Sequence, residues 1–152
     1  MDATDDAMAD PARLRVLLAR TEWFTGVPQE EIDQIVPHFR PRDVTAGTEI
    51  VRQGEPGDEL FLVDSGQLEA SVTANGKRIR LGTLAPGDVF GEMAVLRRAP
   101  RTATITALTA ARLWVLSGSS LRQAFERMSG LEAKLRRIMR RRELANALHR
   151  LQ

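Results

Sequence analysis

Gly87-Asp88-Val89-Phe90-Gly91-Glu92-Met93-Ala94-Val95-Leu96-Arg97-Arg98-Ala99-Pro100-Arg101-Thr102-Ala103-Thr104 is the stretch of this chain whose reading decides the rest. Its pattern predicts a strand, a glycine turn, a short helix, a loop and a second strand. A helix opening at Gly91 presents free backbone N–H groups and a positive partial charge, which suits an anion, most naturally a phosphate. Glycine at 91 lets a ligand approach the backbone closely. Arg101, returning at the start of the next strand, supplies a guanidinium to the same phosphate. Glu92 repels phosphate, so its carboxylate is better used accepting a hydrogen bond from a ribose hydroxyl. Together these residue types point to a reader of phosphate plus ribose.

On both sides of this stretch, from Arg40 to Ser117, short β-branched runs are broken by Gly and Pro at intervals of about ten residues. The runs are Thr48–Gln53, Glu59–Asp64, Leu68–Thr73, Arg78–Leu84, Thr102–Ala107 and Arg112–Leu116. Asn75-Gly76 marks a tight hairpin, because both central residues need positive φ. Gly54, Gly57, Gly66 and Gly87 read as turn residues without ligand contact, and Arg97 and Arg98 as solvated loop charges.

The flanks are helical. Asp10-Pro11 reads as an N-cap and first-turn proline ahead of Leu14, Leu17 and Leu18. After Gly26, Pro28 opens a second helix with Ile32, Ile35, Val36 and Phe39 on one side. Beyond Ser119, Leu121, Phe125 and Met128 form a short helix face, stopped near Ser129-Gly130. A long basic helix follows, with Leu131, Leu135 and Ile138 on one side and Leu144, Leu148 and Leu151 nearly opposite. Either that helix breaks at Arg140–Arg142 or its two ends meet different partners. The expected fold class is α+β: a small antiparallel β-barrel or jelly roll of about eight strands, with N-terminal helices and two C-terminal helices around it. The expected division is an acidic flexible N-terminus over 1–9, a helical segment over 10–39, the barrel over 40–117 and C-terminal helices over 119–152.

A length of 152 residues with a 43 % apolar share suffices for one cored domain. With no cysteine, disulfides and thiolate metal sites are excluded. No apolar run approaches the roughly 20 residues that span a bilayer, and the acidic start lacks a signal-peptide pattern. The expected location is cytoplasmic, either free or as the cytosolic portion of a larger membrane protein. Over 131–152, Lys134, Arg136, Arg137, Arg140, Arg141, Arg142 and Arg150 face only Glu132 and Glu143. This surplus reads first as a solvated helix face, ahead of contact with nucleic acid or acidic lipid.

Phe90-Gly91-Glu92-Met93-Ala94, with Pro100-Arg101-Thr102-Ala103-Thr104, resembles the phosphate-binding cassette of the cyclic-nucleotide-binding domain family. Ile50-Val51-Arg52-Gln53-Gly54-Glu55-Pro56-Gly57-Asp58-Glu59-Leu60-Phe61-Leu62-Val63-Asp64-Ser65-Gly66 is similar to that family's first hairpin, as is Leu84-Ala85-Pro86-Gly87-Asp88 to its approach to the cassette. The resemblance covers roughly Val27 to Met128 and places the cassette at 90–104. It implies a binding site at Gly91, Glu92, Met93, Ala94, Arg101, Thr102 and Ala103 for cAMP, cGMP or both, with no cofactor, metal or catalytic residue. Glu92 and the Gly91 backbone would hold the ribose 2′-hydroxyl, and Arg101 the exocyclic phosphate oxygens. Amides near Ala94 and Thr102 would complete the cradle. The Thr102 hydroxyl keeps a syn guanine open as base without excluding adenine. Val72, Leu81, Leu84 and Val89 are candidates for the base wall, and Leu135, Arg136, Ile138 or Met139 for a lid over the purine. Ligand binding would then move the C-terminal hinge and lid helices.

Other readings compete. A cupin-type metalloenzyme needs two or three converging histidines; only His38 and His149 exist, both outside the barrel. A DNA-binding regulator needs a helix-turn-helix after the long helix, and no complete module fits before Gln152, so no specific nucleic acid is expected. A degenerate domain that binds nothing and serves as a scaffold is the remaining rival. An effector domain or a second copy of the chain would attach through the basic C-terminal helix.

Overall fold

Asp10 opens the first helix by accepting the Ala12 N–H at 2.9 Å, with Pro11 at the first helical position, as the sequence predicts. The computed structural model describes residues 9–128 and 130–151. Most of the acidic terminus and Ser129 lie outside them, and so do the side chains of Leu148 and Leu151 in the second predicted stripe. Helix α1 (Pro11–Arg20) buries Leu14, Leu17 and Leu18, and a 3-10 turn at Glu22–Phe24 buries Trp23 and Phe24. Helix α2 (Gln29–Ile35) and a second 3-10 turn, Val36–His38, bring Ile32, Ile35, Val36 and Phe39 into the core together.

The chain then forms β1 (Arg40–Val44), β2 (Glu49–Val51), β3 (Glu59–Ser65), β4 (Leu68–Ala74), β5 (Lys77–Leu84) and β6 (Val89–Phe90). Helix α3 (Glu92–Arg97) interrupts the strands before β7 (Thr104–Ala107) and β8 (Ala111–Ser117). Helices α4 (Gly118–Arg127) and α5 (Leu131–Leu151) end the fold. Two four-stranded antiparallel sheets result, ordered β1-β8-β3-β6 and β2-β7-β4-β5. The expected α+β jelly roll is therefore present, as two facing sheets rather than a closed barrel. Asn75 and Gly76 make the β4–β5 hairpin with φ of 54° and 74°, the geometry that dipeptide favours.

Strands β3 and β8 read as continuous apolar runs because both of their faces are covered. Phe61, Val63, Leu113 and Val115 point between the sheets, where they meet Leu68, Phe90 and Ile105. Leu60, Leu62, Trp114 and Leu116 point the other way, into a second cluster with the helices. Buried Asp64 ties these layers: it accepts the Trp114 indole N–H at 2.9 Å and pairs with Arg13 of α1 at 3.3 Å. Strand β1 went unpredicted because Arg-Pro-Arg-Asp-Val has no apolar alternation. It lies at a sheet edge, where charge and proline discourage further pairing.

Helix α5 runs through Arg140–Arg142 without a break, so of the two predicted alternatives the ends differ in their surroundings instead. Leu131, Leu135, Ile138 and Met139 are buried against the helical cluster, while Leu144 is 63 % exposed. Arg97 at the end of α3 holds Glu143 of α5 at 2.7 Å, and Arg141 holds Glu22 at 3.3 Å. The expectation that Arg97 is a solvated loop charge is corrected in its placement alone: the residue is exposed, but it is the last residue of α3 and pairs with Glu143. Arg98, at φ 53°, ends that helix.

Candidate functional site

The site grows from Gly91. Its φ of 88° lies in the left-handed region, and a Cβ there would stand 2.7 Å from the Glu59 carbonyl and 2.9 Å from Arg101 NH1. Only glycine lets β6 turn into α3 this tightly. No side chain caps the helix start at Gly91.

Arg101 comes back across the same turn from the loop before β7. Its NH1 donates to the Gly91 carbonyl at 3.1 Å and to the Glu59 carbonyl at 3.2 Å. The guanidinium carbon sits 5.7 Å from the centroid of Phe61, whose ring stacks on Phe90 at 4.8 Å. Burial pushes the Arg101 pKa below its ordinary value, and the carboxylates of Glu59, Asp58 and Glu92 push it back up. A guanidinium stays charged through such shifts. The result is a fixed, partly desolvated cation, which binds an anion more strongly than a solvated one.

These groups open onto a cavity of about 220 Å³ between the second sheet and α3. Gly91, Glu92, Met93, Ala94, Arg101, Thr102 and Ala103, the residues singled out from sequence, all line it. Glu92 and Arg101 are 5 % and 7 % exposed, although they lie on a cavity wall. The Thr102 hydroxyl donates to the Met93 sulfur at 3.6 Å, a weak acceptor that a better one displaces easily.

The apolar wall is only half as predicted. Leu81 and Leu84 line the cavity, but Val72 and Val89 do not. Val89 faces the helical cluster, and Val72 is buried opposite Ile79. The wall is completed by Val51, Ala70, Gly82, Thr83, Phe90 and Ile105. The β5 side of this wall carries an irregularity: the β4–β5 register slips between Ala70–Gly82 and Ser71–Arg80 and leaves Leu81 unpaired. A one-residue slip exchanges the faces, so parity counted through it fails. Ile105 was within reach of the sequence, since alternation along β7 puts it inside. The lid candidates are elsewhere: Leu135, Ile138 and Met139 are buried in the helical cluster, and Arg136 pairs with Glu132 at 2.9 Å. None of the four lines the cavity. No group of metal-ligating side chains occurs among the described residues.

Comparison with known proteins gives concordant matches. The family described as cyclic nucleotide-binding domain matches residues 41–128. The cGMP-dependent protein kinase egl-4 of Caenorhabditis briggsae is 33 % identical over 119 residues, which is 78 % of this chain and 15 % of the kinase. The CRP-like cAMP-activated global transcriptional regulator of Mycobacterium tuberculosis is 30 % identical over 127 residues, 83 % of this chain and 57 % of the regulator. The regulatory domain of Toxoplasma gondii PKA, co-crystallised with cAMP, superposes with a TM-score of 0.72 at 29 % identity, covering 75 % of this chain and 44 % of that one. The chain thus spans between 15 % and 57 % of the length of these three proteins.

Proposed function

The chain belongs to the cyclic nucleotide-binding domain family, and on that premise we propose that it is the ligand sensor of a regulatory assembly, taking cAMP or cGMP into the cavity beside α3. The observation that carries this reading is the meeting of Arg101 and Glu92, both buried, on the wall of one open cavity. The cyclic phosphate lies against the Nε–NH2 edge of Arg101, because NH1 is already committed to two carbonyls. Amides near Ala94 and Thr102 complete its cradle. Glu92 accepts from the ribose 2′-hydroxyl, with the Gly91 backbone beside it. The base rests on Val51, Leu81, Leu84 and Ile105, and a guanine draws the Thr102 hydroxyl away from Met93.

The domain's output is movement rather than chemistry. A ligand shifts a conformational equilibrium only by its differential affinity for the two states. Swinging α5 over the base as one piece would uncover Leu131, Leu135, Ile138 and Met139, at about 1.5–3 kcal/mol for each side chain left exposed. A micromolar ligand brings only about 8 kcal/mol in total. Coupling therefore runs through the cheaper links: the exposed pairs Arg97–Glu143 and Arg141–Glu22, and the Asp58–Arg122 pair on α4. An effector domain or a second copy docks at the far end of α5, where Leu144 is exposed. No helix among the described residues is long and apolar enough to cross a membrane. The sensor reading puts the domain in the cytoplasm, alone or as the cytosolic part of a larger membrane protein.

The test is calorimetric titration of nucleotide-stripped protein with cAMP and cGMP, with Arg101→Ala in parallel. The expected result is binding of at least one nucleotide at about micromolar Kd or tighter, severely weakened by the substitution. A folded, ligand-free protein that gives no heat with either nucleotide overturns the sensor reading in favour of a scaffold.

A further inference from the structure

The loop between β2 and β3 lies behind the site and does not line the cavity, yet it grips Arg101 at three points. The Gly54 N–H donates to the Arg101 carbonyl at 2.8 Å, and the Arg101 N–H donates to the Glu55 carbonyl at 2.8 Å. The side chain then folds back over Gly57. A Cβ built on Gly57 would stand 2.4 Å from both Nε and NH2 of Arg101 and 2.6 Å from its Cζ.

We propose that Gly57 is a positioning residue for nucleotide binding: the space left by its missing side chain is the seat of the Arg101 guanidinium. This rests on the reading of Arg101 as the phosphate ligand. The guanidinium has little other room, because the Gly91 and Glu59 carbonyls hold NH1 and the Phe61 ring covers it. Backbone strain is not what requires glycine here. The φ of Gly57 lies outside the left-handed region, unlike that of Gly91, so alanine fits the chain. The clash falls on the far end of one flexible side chain. Alanine at 57 therefore leaves the fold intact and displaces the one edge of Arg101 that the protein has not already used.

The experiment is a double-mutant cycle of Gly57→Ala and Arg101→Lys, read by calorimetry with cAMP and cGMP, by thermal unfolding and by the Arg101 Nε–H resonance of the ligand-free protein. Gly57→Ala should unfold near the parent's midpoint, shift the Nε–H resonance and weaken binding about tenfold, the loss expected for a charge-assisted hydrogen bond. With lysine at 101 there is no guanidinium to displace, so the same alanine should change the affinity no further. Unchanged affinity in Gly57→Ala overturns the proposal. So do additive effects of the two substitutions, or a variant that fails to fold. If the parent binds neither nucleotide, the sensor reading fails, and an unmoved Nε–H resonance then overturns the seat on its own.

Discussion

Arg101 donates from NH1 to the carbonyl of Gly91 across 3.1 Å, ten residues back along the chain. The glycine that turns β6 into α3 and the cation that faces the cavity are therefore one unit. Positive φ at 91 aims that carbonyl, the carbonyl aims NH1, and the rigid guanidinium fork aims Nε and NH2.

Arg101→Lys tests the fork. An ammonium supplies charge and can still donate to the Glu59 or Gly91 carbonyl, so the fold should hold. It lacks a second planar edge, and nucleotide affinity should fall about tenfold or more. Calorimetry on a variant with an unchanged unfolding midpoint measures this. Retained affinity would mean that a point charge suffices.

Asp58 supplies a pH dependence. Its bidentate hydrogen bonds with Arg122, at 3.1 and 2.9 Å, hold its carboxyl below the usual Asp value, against a smaller opposing effect of burial. A carboxyl with a lowered folded pKa adds stability above its unfolded value, about 3.9. That stability is lost as pH falls through the lowered folded value. Asp58→Asn should therefore be less stable than the parent at pH 7, and the gap should close on acidification below about 3.9. Urea unfolding at a series of pH values reads the gap. A gap independent of pH would assign the loss to packing beside Gly118 rather than to the ion pair.

Much of this was legible beforehand, for reasons that can be located. The cassette could be read because glycine, acid and arginine each perform a chemical task that few other side chains perform, at positions the chain brings together locally. Helix α1 could be read because its cap, proline and apolar spacing agree. What stayed hidden depends on relations between distant segments. Strand β1 pairs with β8 through its backbone alone, so Arg40–Val44 carries no apolar signal. The slip at Leu81 belongs to a strand pair and cannot be seen in either strand. The position of α5 is set by burial of Leu135, Ile138 and Met139 against helices over a hundred residues away, which periodicity alone does not choose.

Trp114→Phe and Asp64→Ala should separate stability from binding. The indole N–H and the Asp64 carboxylate are buried partners at 2.9 Å, on the helix side of the first sheet and away from the cavity. Removing the acceptor strands a buried donor at about 1–3 kcal/mol. Trp114→Phe also forfeits aromatic area, while Arg13 remains as a partner for Asp64. Both variants should melt lower and bind nucleotide as the parent does. Weakened binding in a variant still folded at the assay temperature would show that the first sheet's outer layer shapes the site.

Gly66→Ala is the counterpart of Gly57→Ala and should behave in the opposite way. Gly66 has φ 93°, and a Cβ there would lie 2.6 Å from the Ala110 carbonyl oxygen and 2.8 Å from the Ala111 Cα. Those atoms are backbone at the start of β8, next to a strand buried on both faces, so they cannot swing aside as a guanidinium does. Left-handed backbone alone costs an alanine about 1–2 kcal/mol, and the clash adds to it. Replacement at 66 should lower the unfolding midpoint by several degrees, each kcal/mol being worth about 2–8 °C in domains of this size range. The nucleotide Kd of the remaining folded protein should not change, because Gly66 touches neither the cavity nor Arg101. Thermal unfolding and titration on the same preparations decide it. A stable Gly66→Ala protein would show that the β3–β4 turn yields more readily than its packing against Ala110 and Ala111 implies.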